Sequence, residues 1–338
     1  MILTIAIPTY NRNEILLKTL ESLLPQLAHR TRLLVLDNCS KVPVAETLTA
    51  LLASYPEADC RIVRHRANVG GNTNILRCFE LCETEWMWTL GDDDVAKPDA
   101  VETILREIAE HEDCVFMNFY SSAEPYVRSQ TYLTHGIADF VNRMDNFGNV
   151  LFLSCGVYRI APLLPQLNIA CHHTYSCAPH IALTLASLGK SGGCCFSARQ
   201  VVDWGGPLPA EQQFSNLSVC LGMATLLELS MPSAVRRALG QRMLSTLNYW
   251  MAKRNLFGLI LVAAVKDRDT AGARFTFDQI RSRIYYYEKG LVPRLATRLC
   301  ALLLRNPPLV FALLSVPYRL WKGRNFGSLP EQNRWDRV

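Results

Sequence analysis

Trp86-Met87-Trp88-Thr89-Leu90-Gly91-Asp92-Asp93-Asp94 is an apolar run that stops at three consecutive carboxylates. Its apolar half reads as a buried strand, because two tryptophans and their neighbours suit an element packed on both faces, and Gly91 lets the backbone turn at its end. Adjacent aspartates repel one another, so folding alone does not favour three in a row. A hard divalent cation resolves the repulsion: Mg²⁺ or Mn²⁺ takes oxygen ligands and is commonly shared between carboxylates and substrate phosphates. Carboxyl ends of strands in α/β sheets are also where ligands sit. The competing reading is a solvated acidic turn ahead of a helix begun by Pro98, since acidic groups favour helix N-termini.

Upstream, the same arrangement recurs twice. Leu3 to Ile7 reads as a strand ended by Pro8-Thr9-Tyr10-Asn11-Arg12, followed by a helix that Asn11 or Asn13 caps and that buries Leu16, Leu20, Leu23, Leu24 and Leu27. Arg32 to Leu36 is a second strand, ended by Asp37-Asn38-Cys39-Ser40, with a helix over Val44–Ser54 and a short strand over Cys60–Arg64 beyond it. Asn68-Val69-Gly70-Gly71-Asn72-Thr73-Asn74 then feeds a helix from Ile75 to Cys82. Its glycines either let the backbone approach a phosphate at a helix N-terminus or only make a turn. After the triplet come a helix over Asp99–Glu110 and a strand over Cys114–Phe119. Alternating strands and helices imply a parallel sheet with right-handed crossovers. Parallel strands place Pro8 to Tyr10, Asp37 and Asp92 to Asp94 on one edge, the arrangement of a nucleotide pocket.

Composition limits the alternatives. The chain has 338 residues, 49% hydrophobic and 19% charged, which fits a folded globular protein with a full core and excludes a disordered one. Twelve cysteines show neither Cys-x-x-Cys nor regular spacing, so reduced, largely buried thiols are expected. Ile2 to Ile7 lacks the basic leader and cleavage site of a secretory signal, which points to a cytoplasmic protein. The net charge of +5 sits in the tail: from Leu291 onward eight Lys or Arg face two acids, leaving −1 for the rest. This distribution speaks against a nucleic-acid binder and for an anionic surface, a membrane, met by the C-terminus.

Taken together, the opening strand with Pro8-Thr9-Tyr10-Asn11-Arg12, then Asp37-Asn38-Cys39-Ser40, Asn68-Val69-Gly70 with Asn74, and Leu90-Gly91-Asp92-Asp93-Asp94 resemble the family 2 glycosyltransferases. These are inverting enzymes with the GT-A fold and nucleotide-sugar donors; the resemblance covers roughly Leu3 to Phe119. The Gly-Asp-Asp-Asp form also resembles the abequosyltransferase-like subset that builds bacterial surface polysaccharides. The resemblance implies that Pro8, Thr9 and Tyr10, with Arg12, line the nucleoside pocket, that Asp37 contacts base or ribose, and that Asn68, Gly70 and Asn74 shape the diphosphate wall. It implies Asp92 and Asp94 as the Asp-x-Asp pair, with Asp94 the direct contact to Mn²⁺ or Mg²⁺ and Asp93 close to the donor sugar. Many members carry Asp where Gly91 stands, which leaves the pairing within the triplet open. The cation's use is general: charge builds on the departing nucleoside diphosphate, and a bridging divalent ion stabilises it.

The acceptor half departs from the family pattern. An inverting transfer needs a base, usually an acid, yet Asn146 to Val202 contains no Asp or Glu. This stretch should hold the acceptor-side strand, Leu151–Tyr158, and the helix after it. Its polar groups are His172, His173, Tyr175 and His180, and imidazole titrates near neutrality. His180, near the start of a helix signalled by Pro179, is the leading base and His173 the second; a metal-ligand or structural role competes for each. Asp139, Asp203 and Glu211 are outside candidates.

Beyond Pro209 the pattern turns helical, with candidates over Leu217–Leu229, Ser233–Arg254 and Leu256–Val265. Arg294, Arg298 and Arg305 share one face of a later helix, while Leu295, Leu299, Leu302 and Leu303 cover much of the rest. Pro307-Pro308 breaks it, and Leu309 to Trp321 forms another apolar run. Neither reaches the ~20 residues that span a bilayer, so a basic amphipathic pair lying in the interface is expected, with Tyr318 and Trp321 at headgroup level. The alternative is packing on the catalytic domain or on a second copy in a homo-oligomer.

The expectation is therefore an α/β GT-A protein with a mostly parallel sheet: a catalytic domain over 1–208 (donor half 1–120, acceptor half 121–208) and a helical region over 209–338 with membrane-associating helices at 291–322. Its expected activity is metal-dependent, inverting transfer of a hexosyl or deoxyhexosyl group from a nucleotide sugar to a glycan acceptor, lipid-linked, on the inner face of the cell membrane, in O-antigen or capsule synthesis. A sugar nucleotidyltransferase competes, but its glycine-rich phosphate loop is missing from Pro8 to Asn13. A non-catalytic membrane scaffold with the same fold also competes.

Overall fold

The computed structural model describes residues 1–27, 29–122, 127–189, 191–206, 221–246 and 271–306, with Leu309 and Leu313. It divides into two compact units, Met1–Gln212 and Gln213–Val338.

The first unit opens with β1 (Leu3–Thr9), α1 (Asn13–Leu23), β2 (Thr31–Asp37), α2 (Val44–Ala53), β3 (Cys60–Arg64), α3 (Gly71–Leu81) and β4 (Trp86–Thr89). There follow β5 (Val95–Ala96), α4 (Ala100–Glu110), β6 (Cys114–Ser121), β7 (Tyr132–His135), α5 (Gly136–Arg143), α6 (Phe147–Leu151) and β8 (Gly156–Arg159). The unit continues with α7 (Ile160–Leu163), α8 (Leu167–His172), α9 (Pro179–Leu188) and β9 (Gly193–Asp203). One mixed sheet runs β3-β2-β1-β4-β8-β6-β9-β5, with β7 beside β9. β3, β2, β1 and β4 are mutually parallel, so the ends of β1, β2 and β4 share an edge as expected. Beyond β4 the direction changes, because β8 lies antiparallel between β4 and β6.

The core explains the strand sequences. β1 and β4 are covered on both faces, and Trp86 and Trp88 are fully buried, each contributing on the order of 4 kcal/mol as an upper estimate. The Trp88 indole also donates to the Ser154 carbonyl at 2.8 Å, joining β4 to the turn before β8. α1 buries Leu16, Leu20 and Leu23, as its periodicity predicts, and Thr19 beside them.

Three local expectations change. Neither asparagine caps α1: Arg12 holds that position without a side-chain cap bond, Asn11 Oδ1 accepts from Lys41 N–H, and Asn13 Nδ2 donates to Thr47 and to the Val42 carbonyl. Both thus brace the loop after β2. α3 begins earlier than predicted because Gly70, at φ +84°, reverses the chain where a β-carbon is disfavoured. The strand expected over Leu151–Tyr158 shrinks to β8, since α6, started by the Asn146 side chain accepting from Gly148 and Asn149 N–H, runs to Leu151 and a 3₁₀ turn takes Leu153–Cys155.

In the second unit the structure describes two short 3₁₀ turns, Thr225–Glu228 and Tyr285–Tyr287, and helices Ser233–Thr246, Ala271–Arg283 and Leu291–Arg305. The expected helix over Leu256–Val265 and the run Leu309–Trp321 lie outside the described residues, apart from Leu309 and Leu313. Among the described residues no helix is long and apolar enough to cross a membrane.

Candidate active site

The end of β4 is held open by a short relay. Gly91 N–H donates to Ser154 Oγ at 2.8 Å, and the Ser154 hydroxyl donates to Asp94 Oδ2 at 2.5 Å. Asp94 Oδ1 accepts from Gly205 N–H at 3.2 Å, so both its oxygens are anchored to the protein. A β-carbon at Gly205 would collide with the Asp93 carbonyl, so only glycine fits where the chain after β9 passes the triplet. Asp92 is anchored separately: Thr9 Oγ1 donates to Oδ2 at 2.7 Å, Arg12 donates to Oδ1 at 2.9 Å, and the Thr19 hydroxyl donates to its carbonyl at 2.9 Å. Asp93 is the open member. Its side chain retains 25% exposure and lies 3.5 Å from Arg12.

Burial sets the electrostatics. It pushes the Asp94 carboxyl up to about 6, with the Ser154 hydrogen bond opposing and the neighbouring Asp93 charge adding to the rise. Asp92 is also raised by burial, against the pull of the Arg12 charge and the Thr9 bond. Two buried, reluctant carboxylates beside a third are what a cation would relieve. Asp93 Oδ1, Asp94 Oδ2 and Ser154 Oγ lie within 3.3 Å of the point where a side chain on Gly91 would begin. This is an all-oxygen cradle.

The neighbouring strand ends build a wall. Asp37, buried at the end of β2, accepts from Ser40 N–H at 2.7 Å, Val44 N–H at 3.2 Å and Arg64 at 2.6 Å. Burial raises its pKa, but these bonds outweigh it and hold the carboxyl below its ordinary range. Asn38 donates to Asn68 Oδ1 at 2.7 Å and accepts from Val69 N–H, and Asn68 Oδ1 also accepts from Gly70 N–H. The 68–70 loop is therefore fixed from β2. Asn74 is buried, donating to the Leu36 carbonyl and pairing with His65 at 2.7 Å, so its amide ties α3 to the sheet. Pro8 pairs with Leu36 across β1 and β2, and Tyr10, 41% exposed, stands at the open edge.

On the other side, Asn72 at the start of α3 donates to the Thr174 carbonyl at 2.8 Å, which brings the His173–Tyr175 turn against the 68–72 loop. His173 is half-buried there and Tyr175 is exposed. His180 lies deeper, 3% exposed in the first turn of α9, with Nε2–H donating to the Leu151 carbonyl at 3.0 Å. Burial lowers its pKa to about 4, so the ring is neutral at pH 7. Asp139 accepts from His135 N–H and faces Arg143, while Asp203 accepts from Gln200 and Lys97. Glu211 lies outside the described residues.

The structure thus brings Thr9, Arg12 and the triplet together, lines Asp37, Asn68, Gly70 and Asn74 along the adjoining wall, and leaves His173 more exposed than His180. Sequence reading missed Thr19, Ser154, Asn72 and Gly205. Only Gly205-Gly206, a glycine pair after a strand, carried a local signal; the others act through contacts distant in sequence.

Residues 4–160 match the family model for Glycosyl transferase family 2. A Haemophilus influenzae protein named "Uncharacterized glycosyltransferase" is 27% identical over 135 residues, 40% of this chain and 44% of that one. Glycosyltransferase GlyG of Streptococcus pneumoniae is 24% identical over 153 residues, 42% of this chain and 50% of that one. The chain spans about half the length of these curated relatives. Among solved structures, S. aureus TarS 1-349 in complex with UDP-GlcNAc superposes with a TM-score of 0.62 at 13% identity, over 95% of this chain and 92% of that one. Another TarS 1-349 structure gives 0.57 at 12% identity, over 97% and 93%. The mixed sheet flanked by helices is the GT-A fold, and residues 4–160 within it are similar to glycosyltransferase family 2.

Proposed function

We propose that this chain is an inverting glycosyltransferase that moves a sugar from a nucleotide donor to a glycan acceptor. The observation that carries this reading is the convergence, at one sheet edge, of the anchored aspartate triplet with Thr9, Arg12 and the wall from Asp37 to Asn74. In it, residues 1–208 bind donor and acceptor and 209–338 form a helical region. The hard oxygen donors around Gly91 suit Mg²⁺ or Mn²⁺, held by Asp94 and Asp93. When bound, the cation supplies positive charge to the leaving diphosphate. Asp92, committed to Thr9 and Arg12, acts instead by holding the guanidinium beside Asp93. Tyr10 and Asp37 border the nucleoside, and the fixed 68–70 loop borders the phosphates.

For the base we favour His173 over His180. His173 sits in the turn that touches the 68–72 loop, whereas His180 is sealed in the protein with Nε2 given to a main-chain carbonyl. The TarS neighbour in complex with UDP-GlcNAc makes UDP-sugars the first donors to try.

A lipid-linked acceptor on the inner membrane face, in surface-polysaccharide synthesis, fits the tail. Helix Leu291–Arg305 leaves Leu291, Val292, Leu295, Leu299 and Leu302 at least half exposed, interleaved with arginines. That pattern suits an anionic bilayer interface.

The test is release of UDP from a panel of UDP-sugars, with and without Mn²⁺ and lipid-linked glycan acceptors. Turnover should vanish in Asp94→Ala, and His173→Ala should suppress transfer while leaving slow donor hydrolysis. A folded wild-type protein that neither hydrolyses nor transfers any nucleotide sugar would leave the scaffold reading. Full transfer by His173→Ala would return the base to His180 or to a carboxylate.

A further inference from the structure

Away from the donor edge, α4 packs against β9, and Glu107 is buried on its inner face at 5% exposure. Among the described residues the basic side chain within 4.0 Å of it is His111, one helical turn on, whose Nε2 stands 3.5 Å from Oε2. That is too long for a good hydrogen bond. The Cys195 thiol of β9 reaches the same oxygen from below at 3.7 Å. All three potential ligand atoms lie within 4.8 Å of one another.

We propose that Glu107, His111 and Cys195 form a site for one zinc-class divalent cation, clamping α4 to β9. Zinc bonds of roughly 2.0–2.3 Å to O, N and S give tetrahedral edges of roughly 3.3–3.7 Å between ligands. The Nε2–Oε2 and Sγ–Oε2 separations, 3.5 and 3.7 Å, fall at those lengths, and the third, Nε2 to Sγ, is within 4.8 Å. Ser197 Oγ donates to the other Glu107 oxygen at 2.8 Å, orienting the carboxylate as an outer hydrogen bond does in metal sites. The His111 side chain keeps 20% exposure, which supplies an entry path and a fourth position for water. Thiolate, imidazole and carboxylate together select zinc over Mg²⁺ or Mn²⁺, so this site is chemically distinct from the all-oxygen cradle at the triplet. On binding, the S–H bond of Cys195 breaks, its proton leaves to solvent and an S–Zn bond forms. The site is invisible to ligand spacing, because its third member comes from a strand far along the chain.

The test uses the full chain, stripped with chelator and titrated with Co²⁺ as a spectroscopic probe. One equivalent should produce a thiolate-to-cobalt charge-transfer band that Zn²⁺ displaces, and Zn²⁺ should raise the melting temperature. The band should disappear in Cys195→Ser and persist in Asp94→Ala, which separates it from the donor site. Should Cys195→Ser fold poorly, His111→Ala, at the exposed rim, should weaken Zn²⁺ at least tenfold. Absence of the band in wild type, or equal bands in both site variants, would overturn the proposal.

Discussion

Arg12 stands 2.9 Å from Asp92 and is the cation that reaches the triplet among the described residues. Replacing it with methionine leaves a buried carboxylate with the Thr9 hydroxyl alone, and loss of one partner of a buried pair costs about 3–5 kcal/mol. Because Arg12 keeps some exposure, we expect Arg12→Met to lose about 2–4 kcal/mol at pH 7 by denaturant titration. The deficit should shrink in acid, where Asp92, already raised by burial, takes a proton. Asp94 gives the opposite result. Its folded pKa of about 6 exceeds the unfolded 3.8, so its contribution to stability is complete below about pH 4 and is lost as pH rises through 6. Metal-free Asp94→Asn should therefore be more stable than wild type at pH 7.5 by about 1–3 kcal/mol and no different below pH 4. A thermal melt series across that range checks it. The triplet was legible in sequence because adjacent charges demand an explanation. Ser154, which sets the orientation of Asp94, was not legible, since one serine near a strand carries no pattern.

At the scale of elements, β1, β2 and β4 followed from apolar runs that are buried almost throughout, and α1 from leucines at helical spacing on its buried face. Beyond β6 the reading weakened. α6 ends at Leu151 and a 3₁₀ turn takes Leu153–Cys155, so half of an expected strand is lost, and the antiparallel insertion of β8 has no local signature. The delivery of Gly205 to Asp94 depends on where β9 ends, which pairing with β6 and β5 decides. Gly205→Ala should push the Asp93 backbone away and uncouple Asp94, lowering cation affinity at least tenfold while the core stays folded. Calorimetry beside a circular-dichroism melt distinguishes this from general unfolding; unchanged affinity would show that the contact is dispensable.

For the whole molecule, charge distribution was the most legible property: a near-neutral body and a basic tail, read by counting. Which leucines of that tail face outward was not, and the structure supplies it. Replacing Leu295, Leu299 and Leu302 together with asparagine should abolish sedimentation with vesicles containing anionic lipid and leave nucleotide binding intact. Retained sedimentation would assign the stripe to another partner. The central expectation is that the end of β4 binds a nucleoside diphosphate through a divalent cation. Calorimetric titration of UDP, then GDP, CDP and dTDP, with and without Mn²⁺, into wild type and Asp94→Ala tests it most directly. One nucleotide should bind in an Mn²⁺-dependent manner and lose that binding in Asp94→Ala; a folded wild-type protein that binds none of them, or a variant that binds as well, would rule out this donor site.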